Sequence, residues 1–442
     1  MLSPFMSSAI NVALPAIAAE FHVDAVTLNW IATVYLLAAG ALLLPFGRLA
    51  DMIGRKRIFL IGMALYSVTT FLCAIAPSIT FLLVIRVVQG AASAMLFGTS
   101  VAIVTSVFEP HERGKALGIN VAATYLGLSF GPVAGGALVQ YVGWRGIFFV
   151  QIPVALLVIV LVVWRLKGEW KSEVRKKLDV AGSIIYVGLL VAAMYGVSIL
   201  PSLPGFLYLG AGLLGAVLFL ERQRRIAYPL LDVSLFVKNP GFGSANAAAL
   251  LNYMATFAVT FLLSLYLQYV RGLPAGEAGL ILVSQPIVQA ILSPFAGRMS
   301  DRAQPRIVAS FGMLLTVAGL LGLSFIDAAT PFSGIIIWLA LLGVGFAFFS
   351  SPNTNGALRD VDKSAYGVAS ATLGTMRVLG QMLSMGISLL IFSVKIGHQL
   401  LSGVASGAIV ESVRLAFLVS AFLCVAGVVF SLRGGRPRTE QS

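Results

Sequence analysis

"GRLADMIGRKR", residues 47–57, places five charges in eleven positions: Arg48, Asp51, Arg55, Lys56 and Arg57. The 442-residue chain around it is 59% hydrophobic and only 11% charged. On either side the sequence is apolar for about 20 residues, the length a helix needs to cross a bilayer. The stretch therefore reads as a short charged connection between two membrane-spanning helices.

The same pattern runs along almost the whole chain, and mean hydropathy is +0.96. Fourteen apolar spans are expected, near residues 1–19, 27–47, 58–77, 80–107, 115–141, 146–165, 180–200, 203–221, 241–269, 276–297, 307–327, 332–352, 365–393 and 407–432. They are too long and too continuously apolar for the alternating strands of a membrane barrel. Proline and glycine inside several spans do not break the count, because bundled neighbours can satisfy freed backbone groups. The first run contains Ala16-Ile17-Ala18, which resembles a signal cleavage site, but no Lys or Arg precedes it. An uncleaved first helix is expected. The run starts at Met1 itself, which leaves room for a start slightly upstream.

Charge fixes the orientation. Of 30 Lys and Arg, 24 fall in the loops after even-numbered spans or in the tail; odd-numbered loops carry only Arg145, Arg271 and Lys395. Both termini are therefore expected in the cytoplasm. This asymmetry explains the net charge of +13 without nucleic acid. Cys73 and Cys424 both lie within apolar runs, and no disulfide is expected between them.

The chain also repeats itself. "GRLAD" at 47–51 returns as "GRMSD" at 297–301, each after a Pro-Phe. Gly114 and Gly127 match Gly367 and Gly380 at nearly the same offset. Two six-span halves are expected, residues 1–165 and 241–435, joined by a linker at 166–240 that carries two extra spans. Paired halves around a midplane site are common in secondary transporters.

Four segments give the sequence a specific resemblance. They are "GRLADMIGRKR" at 47–57, "LLVIRVVQG" in span 4 with Arg86 and Gln89, "GLSFGPVAGG" in span 5, and "NVALP" in span 1. Together they resemble the major facilitator superfamily, in particular its fourteen-span drug:proton antiporter branch. The resemblance implies an all-α polytopic membrane protein of the major facilitator fold, in a 6 + 2 + 6 arrangement, in the plasma (cell inner) membrane. It implies secondary active transport by alternating access, with proton-coupled efflux of small organic compounds or drugs. It also implies that the 47–57 stretch is a conformational latch, through Gly47, Arg48, Asp51, Gly54, Arg55 and Arg57.

Each motif has a physical reading beside the resemblance. The basic residues at 47–57 set topology. Asp51 does not serve that purpose; it can face a helix N-terminus or accept from Arg55. In span 5, Gly127, Gly131, Gly135 and Gly136 let two backbones approach, and Pro132 favours a kink. Static packing explains such a stripe equally well; the resemblance favours a bending antiporter helix. Arg86, buried in span 4 with Gln89 one turn on, is expensive unless paired or wetted. The resemblance links it to proton coupling, and Glu20 and Asp24 are its nearest acids by depth. Arg377 and Gln381 in span 13 are placed to face a substrate cavity. Asn11, Tyr35, Asn246, Asn252, Gln285 and Gln289 are further cavity candidates.

In one respect the branch pattern fails. Its span 1 acid falls at Met6, and no carboxylate lies near the middle of any span. Arg86 and Arg377 favour an anionic or zwitterionic substrate by Coulomb attraction. A proton-coupled importer of such a metabolite is therefore the alternative to efflux. A non-transporting sensor is weaker, since it needs neither a bending helix nor a latch. An enzyme is not expected: His22, His111 and His398 sit in loops or at span ends, and no nucleophile–base set or phosphate-binding loop is present. The expected partners are the lipid bilayer, a small-molecule substrate and protons. No nucleic acid, metal, cofactor or oligomer is required.

Overall fold

The structure is a computed structural model that describes residues 2–108, 113–170, 178–359, 361, 366–397, 399 and 403–433. The N-terminal half begins with α1 (Leu2–Phe21), α2 (Ala25–Ile53), α3 (Arg55–Ala74) and α4 (Ile79–Val107). It continues through α5 (Arg113–Tyr141), the short α6 (Gly146–Phe149) and α7 (Gln151–Arg165). The inserted pair is α8 (Val180–Ser198) and α9 (Leu203–Arg225), and a short α10 (Val233–Lys238) follows. Then come α11 (Pro240–Thr256), α12 (Val259–Leu265), a π-helical turn (Tyr266–Val270), α13 (Ala275–Leu282) and α14 (Ser284–Arg302). The chain ends with α15 (Pro305–Leu323), α16 (Phe332–Arg359), α17 (Tyr366–Lys395) and α18 (Ser406–Arg433).

Thirteen helical stretches among the described residues are long and apolar enough to cross a membrane. The fourteenth expected span, near 115–141, coincides with α5, whose side chains are described only in part. Helices overrun the apolar spans where polar helix formers follow. α2 continues through Gly47, Arg48 and Asp51 to Ile53, so the expected loop shrinks to Gly54. Hydropathy marks the width of the bilayer, whereas Arg, Met and Leu continue a helix beyond it.

Local caps set the starts. Asp24 accepts the Thr27 N–H at 2.6 Å ahead of α2, and Ser78 accepts that of Phe81 at 3.3 Å ahead of α4. Asp179 accepts the Gly182 N–H at 2.9 Å, and Ser202 that of Gly205 at 3.2 Å. Each satisfies one of the orphan donors of a helix N-terminus.

The long ninth span is broken rather than continuous. α11 ends at Thr256 and α12 starts at Val259. The Ala258 N–H exposed by the break is taken by the Ser384 hydroxyl of α17 at 3.0 Å. Such repair is what lets irregular backbone persist at membrane depth.

The chain separates into two compact units. Unit 1 comprises Met1–Leu231, Thr260–Val283 and Met385–Ser412; unit 2 comprises Asp232–Val259, Ser284–Ser384 and Val413–Ser442. In unit 1, Met63, Tyr66, Ala92, Leu96 and Ala155 pack α3, α4 and α7 together. The Tyr66 hydroxyl donates to Gln151 Oε1 at 2.8 Å within that packing. Against lipid such contacts stabilise by van der Waals fit and hydrogen bonding, because lipid tails are as apolar as the helices. α8 joins this unit through Tyr186, whose hydroxyl donates to the Gly40 carbonyl of α2 at 3.2 Å. α9 packs on α8 and exposes Leu203, Leu207, Leu213, Leu214 and Val217, a face suited to lipid. Cys73 and Cys424 are buried free thiols.

Candidate functional site

α5 uses two faces of its glycine stripe. Gly127 is buried in it. Gly131 and Gly135 face α1: a Cβ at Gly131 would lie 2.5 Å from Ser8 Cβ, and one at Gly135 2.8 Å from Ala9 Cβ. Gly136 faces α13, where a Cβ would lie 2.5 Å from the Ala275 carbonyl oxygen. α13 answers with glycines of its own: Gly276 leaves no room for a Cβ against Gln140, nor Gly279 against the Pro132 carbonyl. All of this lies within unit 1. Pro132 lacks an N–H, so the Leu128 carbonyl one turn back loses its helical partner. The Ser8 hydroxyl of α1 donates to that carbonyl at 3.0 Å. The outer end of unit 1 is thus a close backbone-to-backbone seam, and a serine takes the carbonyl left free by the proline.

At the α2–α3 turn, Asp51 takes Arg55 as its partner. Arg55 Nη2 and Nε donate to one carboxylate oxygen at 2.9 and 3.1 Å. Its other terminal nitrogen, Nη1, reaches α4, donating to the Ala102 carbonyl at 3.2 Å and to Ser106 Oγ at 2.7 Å. Gly54 has φ 132°, a conformation that strains any L side chain. Gly47 is helical; its role is close approach, with a Cβ on Gly98 of α4 only 3.3 Å from its Cα. Arg48 lies over the Tyr228 ring at 5.8 Å, and its buried Nε has no hydrogen-bond partner. Arg57 is mostly exposed, 3.8 Å from Glu169 Oε2. In the repeat, Gly297 of α14 likewise faces α16, a Cβ there lying 3.3 Å from Ser351 Oγ. The side chain of Asp301, and the surroundings of Gly114 and Gly367, lie outside the described residues, as do His111 and His398.

Arg86 is fully buried. Its Nε donates to the Ile31 carbonyl at 3.1 Å and its Nη1 to Gln89 Oε1 at 2.9 Å. Gln89 in turn donates to Thr70 Oγ1 at 2.9 Å. The guanidinium sits 4.4 Å from the centre of the Tyr35 ring, and Tyr35 and Ser93 share a hydroxyl hydrogen bond of 2.5 Å. Nη2 of Arg86 has no partner. Among the described residues no carboxylate lies within ion-pair distance of it. The expected pairing with Glu20 or Asp24 is therefore corrected. Glu20 accepts from Arg145 at 2.6 Å and from Trp144 Nε1 at 2.7 Å, because these emerge beside the end of α1. Asp24 turns to cap α2.

In unit 2, Arg377 of α17 is half-buried. Its Nη2 donates to Thr354 Oγ1 of α16 at 2.6 Å, and its Nε is buried without a partner. The Tyr253 ring of α11 lies 5.8 Å away, edge-on to Phe346. Gln285 and Gln381 are half-buried; Gln289 is buried, with an unpartnered Nε2. Asn252 has a buried Oδ1 without a hydrogen-bond partner. It is fully buried, its Nδ2 4.0 Å from Cys424 Sγ, in the packing of α11 against α18. Asn246 Nδ2 donates to the Phe242 carbonyl of its own helix at 2.8 Å, while its buried Oδ1 has no partner. Asn11 is buried in α1, its Oδ1 unpartnered.

The sequence profile of the Major Facilitator Superfamily matches residues 1–385 and 245–442. The chain belongs to the Major Facilitator Superfamily. Its relatives are transporters, and so is this protein; it is not an enzyme. It is 28% identical over 434 residues to the riboflavin transporter RibZ of Clostridioides difficile, covering 98% of this chain and 94% of that one. It is 30% identical over 384 residues to the multidrug resistance protein Stp of Mycobacterium tuberculosis, covering 86% and 71%. Among solved structures, a bacterial homolog of the human lysosomal transporter Spinster, inward-facing and unoccupied, matches with a TM-score of 0.69 at 16% identity. That match covers 98% of this chain and 93% of the other, and shows the shared fold.

Two residues of this transporter's site escape motif reading. Ser8 shows no periodic signal, since its purpose exists only once Pro132 frees a carbonyl on another helix. Glu169, in the linker after α7, accepts the Lys56 N–H at 2.8 Å and the Arg57 N–H at 3.2 Å. It takes the helix N-terminus that was one of the two partners open to Asp51.

Proposed function

We propose that this transporter is a proton-coupled exporter of small organic compounds, working by alternating access in the plasma membrane. The observation that carries the reading is the α5 seam. A helix that carries Pro132 in its interior, is glycine-lined on two faces, and has the freed Leu128 carbonyl satisfied by a side chain rather than by its own backbone can bend at little cost. The arginine-held turn between α2 and α3 supplies the latch at the other end of the same unit. The multidrug resistance relative supports export. The two halves, residues 1–165 and 241–435, are the moving parts and 166–240 is the insert. The recurring approaches of Gly47 to α4, Gly297 to α16 and Gly380 to α11 support that division.

An anionic or zwitterionic metabolite is the second reading of the substrate. It is favoured by two arginines, Arg86 and Arg377, each with a buried guanidinium nitrogen left unpartnered. A buried donor without a partner costs about 1–3 kcal/mol, which a bound anion recovers.

Flux in proteoliposomes with an imposed pH gradient tests both readings, with anionic, zwitterionic and cationic compounds compared. Export coupled to protons predicts uptake into everted vesicles that a protonophore abolishes. Arg377→Gln should raise KM for an anionic substrate about tenfold and leave a cationic one unaffected, the scale of one charge-assisted bond. Flux indifferent to the pH gradient overturns the coupling; equal effects of Arg377→Gln on anions and cations overturn the anionic reading.

A further inference from the structure

The first turn of α3 has no cap of its own. Its N-cap residue is Gly54, which has no side chain to offer. The orphan N–H groups of that turn are instead met by a distant segment. Glu169 accepts two of them, from Lys56 and Arg57. The Trp170 carbonyl accepts the third, from Arg55, at 2.9 Å. The Lys56 ammonium donates to the Leu166 carbonyl. Gly168, at φ 99°, makes the turn that brings Glu169 over the helix end. Gly54 is shaped to receive it, since a Cβ there would lie 2.5 Å from the Glu169 carboxyl carbon.

We infer that Glu169 is a positioning residue of the latch, a carboxylate lent by the linker to the inserted helix pair. It holds the N-terminus of α3 in the state whose outer seam is closed. A carboxylate on a helix N-terminus gains from the dipole and from charge-assisted N–H bonds together. Removing it leaves donors with no local substitute, because Asp51 is committed to Arg55. It also cuts the link between the α2–α3 turn and the segment that follows α7. The inference rests on the reading of the α2–α3 turn as a latch.

The test uses the full chain in proteoliposomes, with Cys73 and Cys424 replaced by alanine and a single reporter, Ala275→Cys, buried in the seam between α5 and α13. External maleimide labelling reports opening of that seam. Glu169→Ala should speed labelling about three- to tenfold, the scale of a lost helix cap, and lower the maximal transport rate without changing KM. Glu169→Gln, which keeps an acceptor but no charge, should fall between, and Glu169→Asp should recover most of the rate. Trp170→Ala, which keeps the backbone carbonyl, should behave as wild type. Unchanged labelling and rate in both Glu169→Ala and Glu169→Gln overturn the inference. So does a Trp170→Ala effect as large as that of Glu169→Ala, which would make the linker mere packing. Asp51→Asn separates the two levels. If it slows transport while the Glu169 variants do not, the latch stands and the positioning role falls; if neither acts, the latch reading itself fails.

Discussion

Ser8 illustrates what a single hydroxyl can do in a membrane. Pro132 leaves the Leu128 carbonyl without a helical partner, and Ser8 donates to it. Ser8→Ala should therefore cost about 1–3 kcal/mol, the scale of an unsatisfied buried acceptor. Thermal unfolding in detergent measures it. In a Pro132→Ala background the restored N–H bonds Leu128 within the helix, and the same substitution should cost less than half as much. Additive losses would contradict the pairing. Glu20 carries a second residue-scale expectation. Its carboxylate is engaged by Arg145 and Trp144, away from Arg86, and exposed pairs contribute little. Glu20→Gln should leave pH-driven flux within about twofold. Collapse of the flux would return Glu20 to the coupling path. The residues legible in advance were those whose chemistry is intrinsic: a buried Arg86, or an acid, Asp51, one turn from Arg55. Glu169 was illegible because its partners are backbone N–H groups 113 positions away, and no residue type announces a free N–H.

Among the helices, composition announced most of the spans, since each must carry about 20 apolar residues whatever its neighbours. It said less about ends and breaks. α2 runs on through its charged residues, and the ninth span splits at Thr256–Val259, where a hydroxyl on α17 repairs the backbone. The seam itself was half visible. The α5 stripe declares small residues, but not that one face serves α1 and the other α13. Gly279→Ala tests the second face. Its Cβ would collide with the Pro132 carbonyl, and rigid backbone cannot yield as a side chain does. Overpacking should cost about 1–3 kcal/mol and slow transport, whereas the same change at Gly188, where no atom lies within 4 Å, should be silent in both assays. The inserted pair has its own fastening. Burial pushes the Asp179 carboxyl up, but donation from Arg222, Gly182 N–H and Gln223 outweighs it and holds the group below its ordinary value of 3.8. A carboxylate depressed in the folded state stabilises above its unfolded pKa, and the gain is lost as pH falls through that value and below. Thermal stability of the wild type should therefore fall on acidification through the carboxylate range. In Asp179→Asn, already weaker at neutral pH, the slope should be shallower; equal slopes would remove Asp179 from the balance.

For the molecule as a whole, apolar runs of about 20 residues imply the spans, and the distribution of 30 basic residues gives an expected sidedness and a reason for the net charge of +13. The internal repeat is an expectation of the sequence; among the described residues, Gly47 lies against Gly98 of α4 and Gly297 against Ser351 of α16. How the broken helices are shared between two compact units was not legible, since that depends on contacts between segments far apart in sequence. The central proposal is that the α5–α13 seam opens and closes under the control of the α2–α3 latch as protons bind and leave. Spin labels at Tyr141→Cys and Glu277→Cys, near the outer ends of α5 and α13, in a background lacking Cys73 and Cys424, would measure that opening in lipid nanodiscs. The expected result is two distance populations whose ratio shifts between mildly acidic and mildly alkaline buffer, and shifts again in Asp51→Asn. A single distance, unmoved by pH and by Asp51→Asn, would contradict it.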